Sequence, residues 1–137
     1  DLLDAPTVST NLSAGAIAGV HPHILLRTEI ETSQGAAPLT IGILSALPVE
    51  TAIWNTSQLP SGTRIYDPVV SLGTAAKKLR QDGAELIIAL AHMGITPSET
   101  QKITGNSGAT ALAQVPDIDV VIAGLSRIHI TEPTTTY

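Results

Sequence analysis

Two short runs of unbroken apolar residues mark the second half of the chain. In AELIIALAHMG (residues 84–94) six apolar positions, Leu86 through Ala91, run straight into His92, Met93 and Gly94. DIDVVIAG (residues 117–124) echoes it and again ends in Gly, ahead of Leu125, Ser126 and Arg127. A run this short, preceded by the turn signal Asp82-Gly83, predicts a central strand covered on both faces. Residues 24–31 alternate instead, with Arg27, Glu29 and Glu31 on one face and Leu26, Thr28 and Ile30 on the other. A turn over 33–37 and a strand over 39–47 (LTIGILSAL), stopped by Pro48, complete a β-hairpin. Nearer the start, PTVSTNL (residues 6–12) predicts a short strand before the small-residue loop 13–19.

The helical period is clearest after Asp67. Val69, Leu72, Ala76 and Leu79 share one face, Asp67 is placed to cap the N-terminus and Pro68 suits the first turn. Gly83 closes this helix, and Lys77, Lys78 and Arg80 favour its C-terminal end. Gly73 inside it costs about 1 kcal/mol relative to Ala. Shorter helices are expected around Trp54 (residues 50–57) and over 109–114, and Pro116 introduces the last strand, centred on residues 120–123. Helix, strand, loop, helix and strand in that order form a parallel βαβ-type segment appended to the hairpin, so the fold class is α/β with a mixed sheet. Ligands of open α/β sheets sit beyond the carboxyl ends of parallel strands, which marks the exits at His92 and Gly124 as one rim. A Rossmann-like or CheY-like fold fits less well, because there is no Gly fingerprint and the chain opens on a hairpin.

Composition narrows the chemistry. The 137 residues are 43% apolar and 14% charged but only 2% aromatic, with no Phe, so Leu, Ile, Val and Ala must build the core. Scarce aromatics and a formal net charge of −5, with the seven Lys and Arg dispersed, argue against DNA or RNA as partner. With no Cys, a metal would have to be held by His, Asp, Glu, Asn or water. No apolar run is long enough to span a membrane, and no signal peptide is expected.

His92 is the leading candidate for chemistry. An imidazole just past a buried strand is fixed in position yet can face a cleft, suited to metal ligation or proton transfer. A histidine hydrogen-bonded at a strand end explains the same position. His21 and His23 form a His-x-His pair, although a solvated loop accounts for it where no third ligand lies nearby. Turn formation explains Asp117 and Asp119, as capping explains Asp67. Asn11-Leu12-Ser13 and Asn55-Thr56-Ser57 match the common glycosylation triplet.

Taken in order, VSTNL (8–12), IGILSALPVET (41–51), Asp67-Pro68 with its helix, AHMG (91–94) and VPDIDVVIAG (115–124) resemble the calcineurin-like metallophosphoesterase domain of bacterial 5′-nucleotidases and 2′,3′-cyclic-nucleotide 2′-phosphodiesterase/3′-nucleotidases. The resemblance implies a partial layered α/β sandwich over residues 1–124 and an off-pattern tail over 125–137. It also implies His92 as a ligand of a centre of two divalent metal ions that activates water to attack phosphorus, a nucleotide substrate, and a location in the periplasm, cell envelope or outside the cell. The family's Gly-His-Ser-His phrase is replaced by Gly124, Leu125, Ser126 and Arg127, and His129 sits two residues beyond the matching place. The family's earlier ligand phrases would precede Asp1, and its base-recognising domain would follow. The expectation is therefore an internal piece of such an enzyme, inactive alone, with a shifted reading frame as one origin of the tail. Its rival is a non-catalytic α/β binding module without a metal site, in which Arg127 binds an anion.

Overall fold

A computed structural model describes residues 5–95 and 108–124 of the chain. The alternating stretch forms β3 (Ile24–Thr32), after the two-residue strands β1 (Thr7–Val8) and β2 (Val20–His21), and turns back into β4 (Gly35–Ala46). The one-turn helix α1 (Thr51–Trp54) and the long helix α2 (Pro68–Gln81) precede β5 (Leu86–Ala91). The short helix α3 (Ala109–Leu112) leads into β6 (Val120–Ala123). Strands β3-β4-β5-β6 form one sheet in that order, antiparallel at β3–β4 and parallel thereafter, so the expected mixed α/β sheet with an edge hairpin is present.

The hairpin loop is shorter than the turn expected over 33–37. Thr32 pairs with Gly35, so only Ser33 and Gln34 form the loop, and Gly35 takes the left-handed φ of +109° that this tight return needs. Pro38 lies inside β4 without breaking it. The Thr40 carbonyl accepts from Glu85 N–H, so this parity of β4 faces β5, and the register with β5 starts only at Ile41. The N–H that Pro38 lacks would thus have pointed past the end of β5.

Asp67 accepts from Val70 N–H at 2.9 Å and caps α2 as its sequence position predicts. Pro68, Leu72, Ala76 and Leu79 of α2 are buried against alternate positions of β4 and β5, namely Gly42, Leu44, Ala46, Ile87, Ala89 and Ala91. Each large aliphatic side chain buried there contributes about 2 kcal/mol. Gly42 admits the helix: a Cβ at that position would lie 2.9 Å from Leu79 Cδ1.

Two expectations are corrected. The strand expected over residues 6–12 stops at Val8, because the backbone then changes partners: Thr10 N–H donates to the Ser45 carbonyl at 2.8 Å, and Tyr66 N–H donates to the Asn11 carbonyl at 2.8 Å. Thr10 Oγ1 accepts from Ser45 N–H at 3.0 Å and donates to the Pro22 carbonyl at 2.7 Å, and Asn11 spends its whole amide on distant backbone. Strand β5 is central, but the described elements cover only one of its faces. On the other, Ile41 and Leu86 pair across the sheet, as do Ile43, Ile88 and Val120, while Leu26, Leu90 and Ile122 are 45%, 40% and 56% exposed. An unbroken apolar run reports that both faces avoid water, not which segment covers the second.

Candidate functional site

Register brings three strand ends to one rim. Ala46, Ala91 and Ala123 lie side by side at the carboxyl ends of β4, β5 and β6. His92 N–H donates to the Ala46 carbonyl at 3.1 Å, and Gly124 N–H donates to the Ala91 carbonyl at 3.1 Å. The next residue, Met93, is fully buried, and the Gly94 carbonyl accepts from Ala109 N–H at 3.2 Å. A buried anchor on each side of an exposed imidazole fixes the backbone while the ring faces solvent at the rim.

Sequence reasoning missed the brace beneath this rim. Asn11 is fully buried. Its Nδ2 donates to the Leu47 and Tyr66 carbonyls at 2.8 and 2.9 Å, and its Oδ1 accepts from Leu47 N–H at 3.0 Å. One side chain thereby ties the segment before the small-residue loop, the exit of β4 and the approach to α2. The amide of Asn11 is consumed inside the fold, in keeping with its glycosylation triplet being only a common pattern. A polar residue inside an otherwise β-branched stretch was the one available signal, and it does not name its partners.

The two histidines of the His-x-His motif sit in different surroundings. His21 is exposed at the end of β2, and half-buried His23 lines a groove of about 610 Å³ with Pro22, Tyr66 and the outer face of α2 (Val70, Thr74). His92 does not line that groove. Asp119 is more than a turn former: its Oδ2 accepts from Ile87 N–H at 2.7 Å and pairs with Arg80, whose guanidinium also donates to the Ala84, Glu85 and Asp117 carbonyls. The Ile87 hydrogen bond, with the Arg80 interaction added and burial opposing, holds the Asp119 carboxyl below its ordinary value of 3.8. Asp117 takes a left-handed φ of +68° where the chain turns into β6.

Among the described residues no three His, Asp or Glu side chains converge on a point where a metal ion could sit. The described donor set therefore does not build a metal centre, although His92 could supply one ligand. Leu125, Arg127 and His129 lie outside the described residues.

In fold, this mixed sheet with an edge hairpin, crossover helices on one face and a carboxyl rim bearing an exposed histidine is similar to calcineurin-like phosphoesterases, and in sequence the chain is similar to nucleotide phosphoesterases. The structure of the calcineurin-like phosphoesterase YfkN from Bacillus subtilis matches with a TM-score of 0.76 and 25% identity, over 88% of this chain and 36% of that one. The Haemophilus influenzae NAD nucleotidase NadN matches at 0.62 with 27% identity, over 90% of this chain and 22% of that one. In sequence, the 2′,3′-cyclic-nucleotide 2′-phosphodiesterase/3′-nucleotidase of Haemophilus influenzae is 30% identical over 107 residues, 77% of this chain and 16% of the relative. The trifunctional nucleotide phosphoesterase YfkN is 24% identical over 123 residues, 88% of this chain and 8% of the relative. The chain thus spans a small fraction of the proteins it is similar to. No protein-family model matches it.

Proposed function

We propose that this chain is part of a metal-dependent enzyme that hydrolyses nucleotide phosphoesters, and that His92 is one of its metal ligands. The observation that carries the reading is the position of His92, exposed beside the aligned ends of β4 and β6 in a frame shared with phosphoesterases. The names of the relatives support a nucleotide or cyclic-nucleotide substrate. A divalent cation in such a centre polarises the phosphoryl group and activates water. The part played by this chain's own residues is positional: Ala46, Met93 and Gly94 hold the backbone of His92, and Asn11 holds the exit of β4 next to it. Because the described donors do not complete a centre, the chain alone is inactive under this proposal. A location in the cell envelope or outside the cell belongs to the same proposal and rests on resemblance alone.

The test is a Mn2+ titration of the isotope-labelled 137-residue chain, with hydrolysis of a 2′,3′-cyclic nucleotide assayed in parallel. Paramagnetic broadening should begin at the His92 ring and the backbone amides of residues 91–94, and in His92→Ala those amides should no longer be the first to broaden, with no turnover above the metal-only rate. Broadening that spares His92 removes it as a ligand, and turnover by the chain alone removes the claim of inactivity. The rival binding module draws on the absence of a convergent ligand set among the described residues. It predicts that His92 responds to Mn2+ no more strongly than the exposed His21.

A further inference from the structure

Away from the rim, a small cavity of about 70 Å³ lies under the loop that joins β1 to β2. Its lining includes Ser9, Leu12, Ser13, Gly15, Ile17 and Val20. Ser9 is 92% buried, its residual exposure being 8%, and its Oγ has no hydrogen-bond partner among the described residues. The Ser9 backbone is already committed, N–H donating to the His21 carbonyl at 2.9 Å, so only the hydroxyl is left to satisfy. Buried hydroxyls in native proteins are paired with protein or with ordered water, and this cavity, mostly apolar but carrying the Ser9 hydroxyl and loop backbone, is large enough to hold a water.

We infer that this cavity is a structural water site, in which a water joins Ser9 Oγ to the backbone of the loop above it. The loop has the composition for this. Ala14, Gly15 and Ala16 bring no side-chain donor or acceptor, so the backbone supplies the polar partners on that side. Among the described residues the loop's internal backbone bonds are few, Ala16 N–H to the Ser13 carbonyl at 3.1 Å and a longer one from Val20 N–H to the Ile17 carbonyl at 3.4 Å, and a bridging water supplies a further tie. Ser9 immediately precedes Thr10 and Asn11, so the water fastens the loop to the segment that braces the rim.

The test joins a high-resolution crystal structure of the 137-residue chain with amide hydrogen exchange of Ala16 and Val20, in wild type and Ser9→Ala. Water density should lie about 2.8 Å from Ser9 Oγ. In Ser9→Ala the density should be lost and the two amides should exchange about five- to tenfold faster, the effect of one hydrogen bond. A cavity without density overturns the site, as does a Ser9 Oγ bonded directly to a protein carbonyl. Exchange unchanged in Ser9→Ala overturns the tie to the loop. If Ser9→Ala does not fold, the wild-type density decides.

Discussion

At the scale of single residues, the two glycines on either side of the core interface have opposite meanings. Gly42 stands in β4 directly under α2, where an added methyl would meet Leu79 Cδ1 at 2.9 Å, Ile87 Cγ1 at 3.3 Å and Ala84 Cβ at 3.4 Å. Leu79 is 1% exposed and has little room to retreat. Gly73 sits in the interior of α2, and its added methyl would meet only Val115 Cγ1, at an ordinary 3.5 Å. Gly42→Ala should therefore destabilise the fold by about 1–2 kcal/mol through overpacking. Gly73→Ala should stabilise it by up to about 1 kcal/mol through helix propensity. Urea unfolding of the two variants checks both signs; equal shifts in the same direction would contradict the packing argument. Asn11 shows the reverse situation, a polar side chain at full burial whose value lies in three hydrogen bonds across 36 and 55 residues of sequence.

At the scale of elements, the end of α2, the start of β5 and the entry to β6 are joined through Arg80 and Asp119. Because the folded state lowers the Asp119 pKa, its carboxylate stabilises the fold fully above the ordinary value of 3.8. That contribution is lost as pH falls from 3.8 through the lower folded value. Asp119→Asn should thus be less stable than wild type at neutral pH, with the difference shrinking as pH drops below 3.8. Thermal melts from pH 7 to pH 2 measure it; a gap that stays constant across that range would show that the charge is not responsible. The exposed pair Lys78–Asp82 at the same helix end contributes little beside this network.

At the scale of the molecule, the described elements cover one face of the sheet and leave the other open. Leu26, Leu90, Val120 and Ile122 are 40–56% exposed and lie on the same side as Ile41, Ile43, Leu86 and Ile88. A contiguous aliphatic surface across four strands drives association in water. The 137-residue chain should self-associate with rising concentration, and the double variant Leu90→Lys, Ile122→Lys should shift it toward monomer without changing the far-ultraviolet circular dichroism. Sedimentation velocity over a hundredfold concentration range reads this out. A wild-type chain that stays monomeric throughout would show that the face is satisfied within the chain.

Local periodicity was enough for the hairpin, the capped helix α2, β5 and β6, because the alternation of side chains in a strand and the 3.6-residue repeat of a helix are written directly in neighbouring residues. His92 at a strand exit was legible for the same reason. Contacts distant in sequence were not legible. The three-point clamp of Asn11, the pairing of Arg80 with Asp119, the early end of β1 and the separation of His23 from the rim all depend on which backbone groups meet after the sheet assembles. So does the open face of β5. A run of apolar residues records how strongly a strand avoids water, whereas the layer that relieves it is chosen by topology.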